Sequence, residues 1–123
     1  MQLNKLQLAA MTKVGKAMIL ADGKVQGKES EVGALGLQKF GLNNADFEDV
    51  LLLSDSLKEI DMISILSSMN YEQKKYVLGY LVSIMASDGE ADESELKLLN
   101  LISDLADFPS VSLREAAEFW LRG

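Results

Sequence analysis

Asp22 and Glu29, and again Asp88 and Glu95, are the residues of this chain whose types and spacing could do chemistry. Each aspartate is followed at once by a glycine, and each glutamate comes six residues after that glycine. Carboxylates supply hard oxygen donors, and oxygen-only donor sets suit Ca²⁺, Mg²⁺ or Mn²⁺. The candidate metal ligands are therefore Asp22 and Glu29 in the first copy and Asp88, Glu90, Asp92 and Glu95 in the second. The copies are not equal. Lys24 and Lys28 offset the first pair, whereas Asp88, Glu90, Asp92, Glu93 and Glu95 crowd together with no base before Lys97. Such crowding costs Coulomb repulsion that water or a cation must relieve, so a cation would favour the second copy. Two parallel central helices would join both corners into one site of four carboxylates; antiparallel helices would give two separate sites.

The same residues also make sense without a ligand. An aspartate beside the loop satisfies backbone groups, and the glycine reverses the chain. A glutamate in the first turn of the following helix complements its dipole. The glycine and the glutamate six residues on also match the second half of an EF-hand loop. The likeness ends there, because the positions for the first two oxygen ligands hold Met18 and Leu20 in one copy, Ile84 and Ala86 in the other.

The rest of the composition narrows the chemistry further. The chain of 123 residues has no cysteine and no histidine, which removes disulfides, thiolate sites, Ser-His or Cys-His nucleophiles and the usual zinc ligands. A net charge of -7 with no basic stripe argues against nucleic acid as a partner. Residues 1–41 carry six lysines against three acids, a net +3. Residues 88–123 carry nine acids against three bases, a net -6. The imbalance reads either as solvated helix faces or as an acidic half that receives cations or a basic partner. A Mg²⁺-dependent hydrolase would need a lysine or arginine facing the carboxylates. Lys13 and Lys16 interrupt any leader-like apolar stretch, and the longest apolar run, Tyr76 to Ala86, falls short of the ~20 residues a bilayer needs. The expectation is a cytoplasmic protein that is not integral to a membrane.

These residues need helices to position them, and the periodicity supplies them. Leu3, Leu6, Ala10, Val14, Ala17, Met18 and Ala21 step by three and four, and Lys28 to Phe40 restarts a helix. Asn44 opens a short helix with Phe47, Val50 and Leu51 inward. Ser56 is expected to cap the next, with Leu57, Ile60, Ile63, Ile65 and Leu66 inward. Asn70 with Gln73 forms a capping box before the most apolar helix, which is expected at the centre. Asp92 with Glu95 opens a helix carrying Leu96, Leu98, Leu99, Leu101, Ile102 and Leu105, and Ser112 with Glu115 caps a last one carrying Trp120. No strand-like alternation competes. The expectation is all-α: residues 1–123 form a single compact domain of about seven helices. Two pseudo-symmetric helix–loop–helix hairpins, related by an offset of 66 residues, are its frame. Trp120 is expected to pack onto the domain; an exposed Phe119-Trp120 would instead mark a dimer contact, so both monomer and homodimer stay open.

The doubled motif, Ala21-Asp22-Gly23 with Glu29 and Ser87-Asp88-Gly89 with Glu95, together with the apolar runs before it, resembles the tellurite-resistance TerB-like family. That family is related to the N-terminal part of a DnaJ-like membrane co-chaperone. The likeness spans about residues 5 to 120. It implies a compact helical fold with an acidic, metal-binding face and a role in stress response or as an interaction module. The absence of cysteine excludes thiol reduction of a metalloid oxyanion. The favoured expectation is a non-enzymatic cation-binding or interaction module with a protein partner. The alternative is a metal-independent adaptor that uses its acidic face or an apolar groove.

Overall fold

The computed structural model describes residues 3–21, 44–86 and 93–122. Among them are six helices: α1 (Lys5–Leu20), α2 (Asn44–Ser56), α3 (Glu59–Ser68), α4 (Tyr71–Met85), α5 (Glu93–Leu105) and α6 (Leu113–Arg122). No strand occurs among the described residues, and the expected helix over 28–40 lies outside them. No described helix is long and apolar enough to cross a membrane.

The two longest helices begin in the same way. The Asn70 carboxamide oxygen accepts the Gln73 amide at 2.8 Å, and the Gln73 side chain accepts the Asn70 amide at 3.0 Å. Asn4 and Gln7 repeat this reciprocal box with the same two distances, and both caps sit at φ -74, ψ 170. Asn4 and Asn70 are 66 residues apart, the same offset as the two Asp-Gly motifs in the sequence. Each box satisfies two amides that a helix start leaves open, stabilising it by about 1 kcal/mol.

These two helices form the centre. From Val77 to Val82 every residue of α4 is buried, as are Ile84 and Met85. In α1, Leu8 to Thr12, Val14, Gly15 and Met18 are buried. The Thr12 hydroxyl satisfies itself inside the core by donating to the Leu8 carbonyl at 2.7 Å. Around the pair, α1 packs against α2, α3 and α5, and α4 packs most extensively against α6. Glycine lets α4 and α6 approach. A Cβ on Gly79 would stand 2.5 Å from both the Ala116 carbonyl oxygen and the Trp120 Cβ. Trp120 consequently packs onto the domain, 7% exposed, with its ring 5.7 Å from that of Tyr80.

The Ser112 hydroxyl accepts the Glu115 amide at 3.0 Å, the cap expected for α6. Ser56 does not cap α3. Its hydroxyl donates back to the Leu53 carbonyl, and the chain runs on to an extended Lys58 with no side-chain cap. Because α3 starts at Glu59, its buried stripe falls on Met62 and Leu66, and Ile60 turns outward at 75% exposure. In α2 the buried stripe is Val50 and Ser54, leaving Phe47 and Leu51 exposed rather than inward. Leu6, Leu20, Leu101, Leu105, Leu113, Leu121 and Tyr71 are likewise exposed, each lying off the face its helix buries.

After α5 the chain turns through Asp107, which has φ 56. The Phe108 amide donates to the Ser103 carbonyl at 2.9 Å and the Phe108 side chain is buried. This is a left-handed helix stop in which an apolar residue after the turn packs back on the core.

Candidate functional site

Glu95 is the candidate ligand that lies within the described residues; Asp22, Glu29, Asp88, Glu90 and Asp92 fall outside them. It is the third residue of α5, beside exposed Glu93 and Ser94, yet it is only 1% exposed. The reason is register. The inward stripe of α5 runs Glu95, Leu99, Ile102 and on to Ala106, steps of four, three and four, so the carboxylate occupies the first core-facing position. A buried ionised carboxylate costs several kcal/mol unless donors or a cation compensate it. Lys97, the base closest in sequence, points elsewhere: its ammonium pairs with Glu93 at 3.4 Å in the solvent.

The sequence contains the same stripe in the first copy. Residues 29, 33, 36 and 40, at the repeat offset from 95, 99, 102 and 106, are Glu29, Gly33, Gly36 and Phe40. An acidic residue leading an otherwise apolar stripe is the sequence signal that could have found the buried Glu95.

Elsewhere the charges are solvated or paired at the surface. Lys5 pairs with Asp46 at 3.2 Å and Asp49 at 3.3 Å, tying α1 to α2. Hydrogen bonds to these two carboxylates, and then their charge, raise the Lys5 pKa above its ordinary value. Glu118 lies between Arg114 and Arg122 one turn away on each side. Burial pushes the Tyr80 phenol well above its ordinary value. Among the described residues no group of three or more His, Cys, Asp or Glu side chains could hold a metal ion.

Periodicity did not bring out one further feature. Lys13 and Lys16 of α1 face Ser54 and Asp55 of α2 and Glu59 and Met62 of α3 across a cleft. The i, i+3 spacing of the lysines was legible; the residues opposite them depend on how α2 and α3 pack.

An all-helical domain with a glutamate buried at the start of α5 is the class of protein these features define. Residues 6–118 match the model of the family described as tellurite resistance protein TerB, and the chain belongs to that family. It is also similar to a solved crystal structure of a protein of unknown function from Porphyromonas gingivalis W83. The identity is 36%, the match covers 98% of this chain and 92% of that one, and the TM-score is 0.86. No curated protein matches.

Proposed function

We propose that this TerB-family domain is a non-enzymatic binding module whose repeated Asp-Gly corners hold a divalent cation. Asp88, Glu90, Asp92 and Glu95 form the stronger site, and Asp22 and Glu29 form its weaker counterpart. The burial of Glu95 carries this reading. A buried glutamate that opens the core stripe of α5 and follows Asp88, Glu90 and Asp92 in sequence offers a hard oxygen donor to a cation that would relieve the repulsion among these carboxylates. The donor set fits: carboxylate oxygens without sulfur or imidazole suit Ca²⁺, Mg²⁺ or Mn²⁺. The corresponding role is binding or signalling in a stress-response setting of the kind the family's name indicates, in a reducing cytoplasm, with a protein partner.

The test is thermal melting of chelator-treated protein with each cation added in turn, repeated on Asp88→Asn and Glu95→Gln. A ligand that binds only the folded state stabilises it by mass action, about 2.7 kcal/mol at a hundredfold excess over Kd. The expected result is a rise for one cation that is lost in both variants. No rise at millimolar cation would favour the second reading, a metal-independent adaptor. The observation that favours that reading is the outward set of Phe47, Leu51 and Leu52 on α2.

A further inference from the structure

The cleft between α1, α2 and α3 has the chemistry of a small-molecule site. Its volume is about 270 Å³, just under the ~300–1,000 Å³ of clefts that take drug-sized ligands. Lys13 and Lys16 enter from α1, one helical step apart, together with the apolar surface of Ala17 and Leu20. Met62, 4% exposed, contributes further apolar lining from α3. Asp55 and Glu59 stand in the same lining, so two cations and two carboxylates balance to zero.

Ser54 is the unusual member. It is 3% exposed and lines the cleft, yet its hydroxyl makes no hydrogen bond among the described residues. A helical serine usually bonds back to its own backbone, as Ser83 does to the Gly79 carbonyl at 2.9 Å, whereas the Ser54 hydroxyl opens onto the solvent of the cleft, where a ligand can meet it. The ion pair over the cleft is slack as well. Lys13 lies 4.0 Å from Glu59, which is 87% exposed, so either group can be recruited at little cost.

We propose that this cleft binds a zwitterion with an aliphatic side chain, the chemistry of a free α-amino acid. Lys13 and Lys16 take the carboxylate, the Ser54 hydroxyl donates to it, Asp55 and Glu59 take the ammonium, and Ala17, Leu20 and Met62 pack the side chain. The charge balance selects this class. A simple anion would meet Asp55 and Glu59, a simple cation would meet the two lysines, and only a ligand with both charges answers both pairs.

The experiment is an amide NMR titration of the full chain with L-leucine, N-acetyl-L-leucine and isoamylamine, each up to about 10 mM. The expected result is a saturable shift at Ala17, Leu20 and Ser54 with leucine. Both derivatives should bind about tenfold more weakly or worse, since each loses one charge-assisted contact. Exposed Lys16 can be changed without disturbing the core, and Lys16→Ala should weaken leucine binding about tenfold; Ser54→Ala should weaken it too. No shift with leucine overturns the proposal. So does binding of either derivative as tight as leucine's, or unchanged binding by Lys16→Ala.

Discussion

Replacing Gly79 with alanine places one methyl group where two helices leave no room. The new Cβ would lie 2.5 Å from the Ala116 carbonyl oxygen and 2.5 Å from the Trp120 Cβ, against 3.4 Å or more in ordinary contact. Both neighbours belong to α6 near its backbone, so relief requires α4 and α6 to part by about 0.9 Å rather than one side chain to swing aside. Overpacking of this kind costs about 1–3 kcal/mol. Alanine returns about 1 kcal/mol of helix propensity over glycine. With two close contacts to relieve, the cost falls in the upper part of that range, about 2–3 kcal/mol, and the net loss is about 1–2 kcal/mol. For a urea m-value of about 2 kcal/mol/M the midpoint falls by about 0.5–1 M. The assay is urea unfolding followed by the fluorescence of Trp120, the chain's single tryptophan, which sits at this contact. Gly15→Ala is the internal control. Its Cβ would meet the Tyr80 hydroxyl at 2.7 Å, the far end of a side chain, so its loss should be smaller. A Gly79→Ala protein with a midpoint equal to or above wild type would refute the close-packing argument.

Asp107→Gly should stabilise the domain by about 0.5–1 kcal/mol, because glycine adopts φ 56 without the Cβ penalty, and a melting scan reads this as a rise of a few degrees. Asn4→Ala and Asn70→Ala should each cost about 1 kcal/mol and agree closely with one another, since the two boxes share one geometry; unequal losses in chemical denaturation would contradict that equivalence. Tyr80 stays protonated in the fold above the pH where a free phenol ionises, so its contribution is complete below about pH 10 and is lost as pH rises past it. Tyr80→Phe should therefore show a shallower fall in urea midpoint between about pH 9 and 11.

The sequence makes the architecture legible because the local signals agree with the packing. Asn70 and Gln73, Ser112 and Glu115, and the continuous apolar run of α4 each point to a helix the fold contains. The Asn4–Gln7 box was readable by the same rule and by the repeat offset. What escaped local reading were choices set by neighbours. Ser56 could cap forward or bond back, and only the extended Lys58 decides it. Phe47, Leu51 and Ile60 carry apolar side chains that periodicity alone assigns inward, but the faces that meet α1 pass through Val50, Ser54, Met62 and Leu66 instead. At the candidate site the motif singles out Glu95. Its burial follows from the register it shares with Leu99 and Ile102, which a count of stripe positions would have revealed.

The measurement that most directly tests cation binding at the corners is paramagnetic broadening of amide signals by Mn²⁺ added in small amounts to chelator-treated protein. The expected result is selective, saturable loss of signal around Asp88 to Glu95, weaker loss around Asp22 to Glu29, and displacement by excess Mg²⁺ or Ca²⁺. Broadening spread evenly over the acidic surface, or none at these corners, would contradict it and leave the doubled motif as helix-corner architecture.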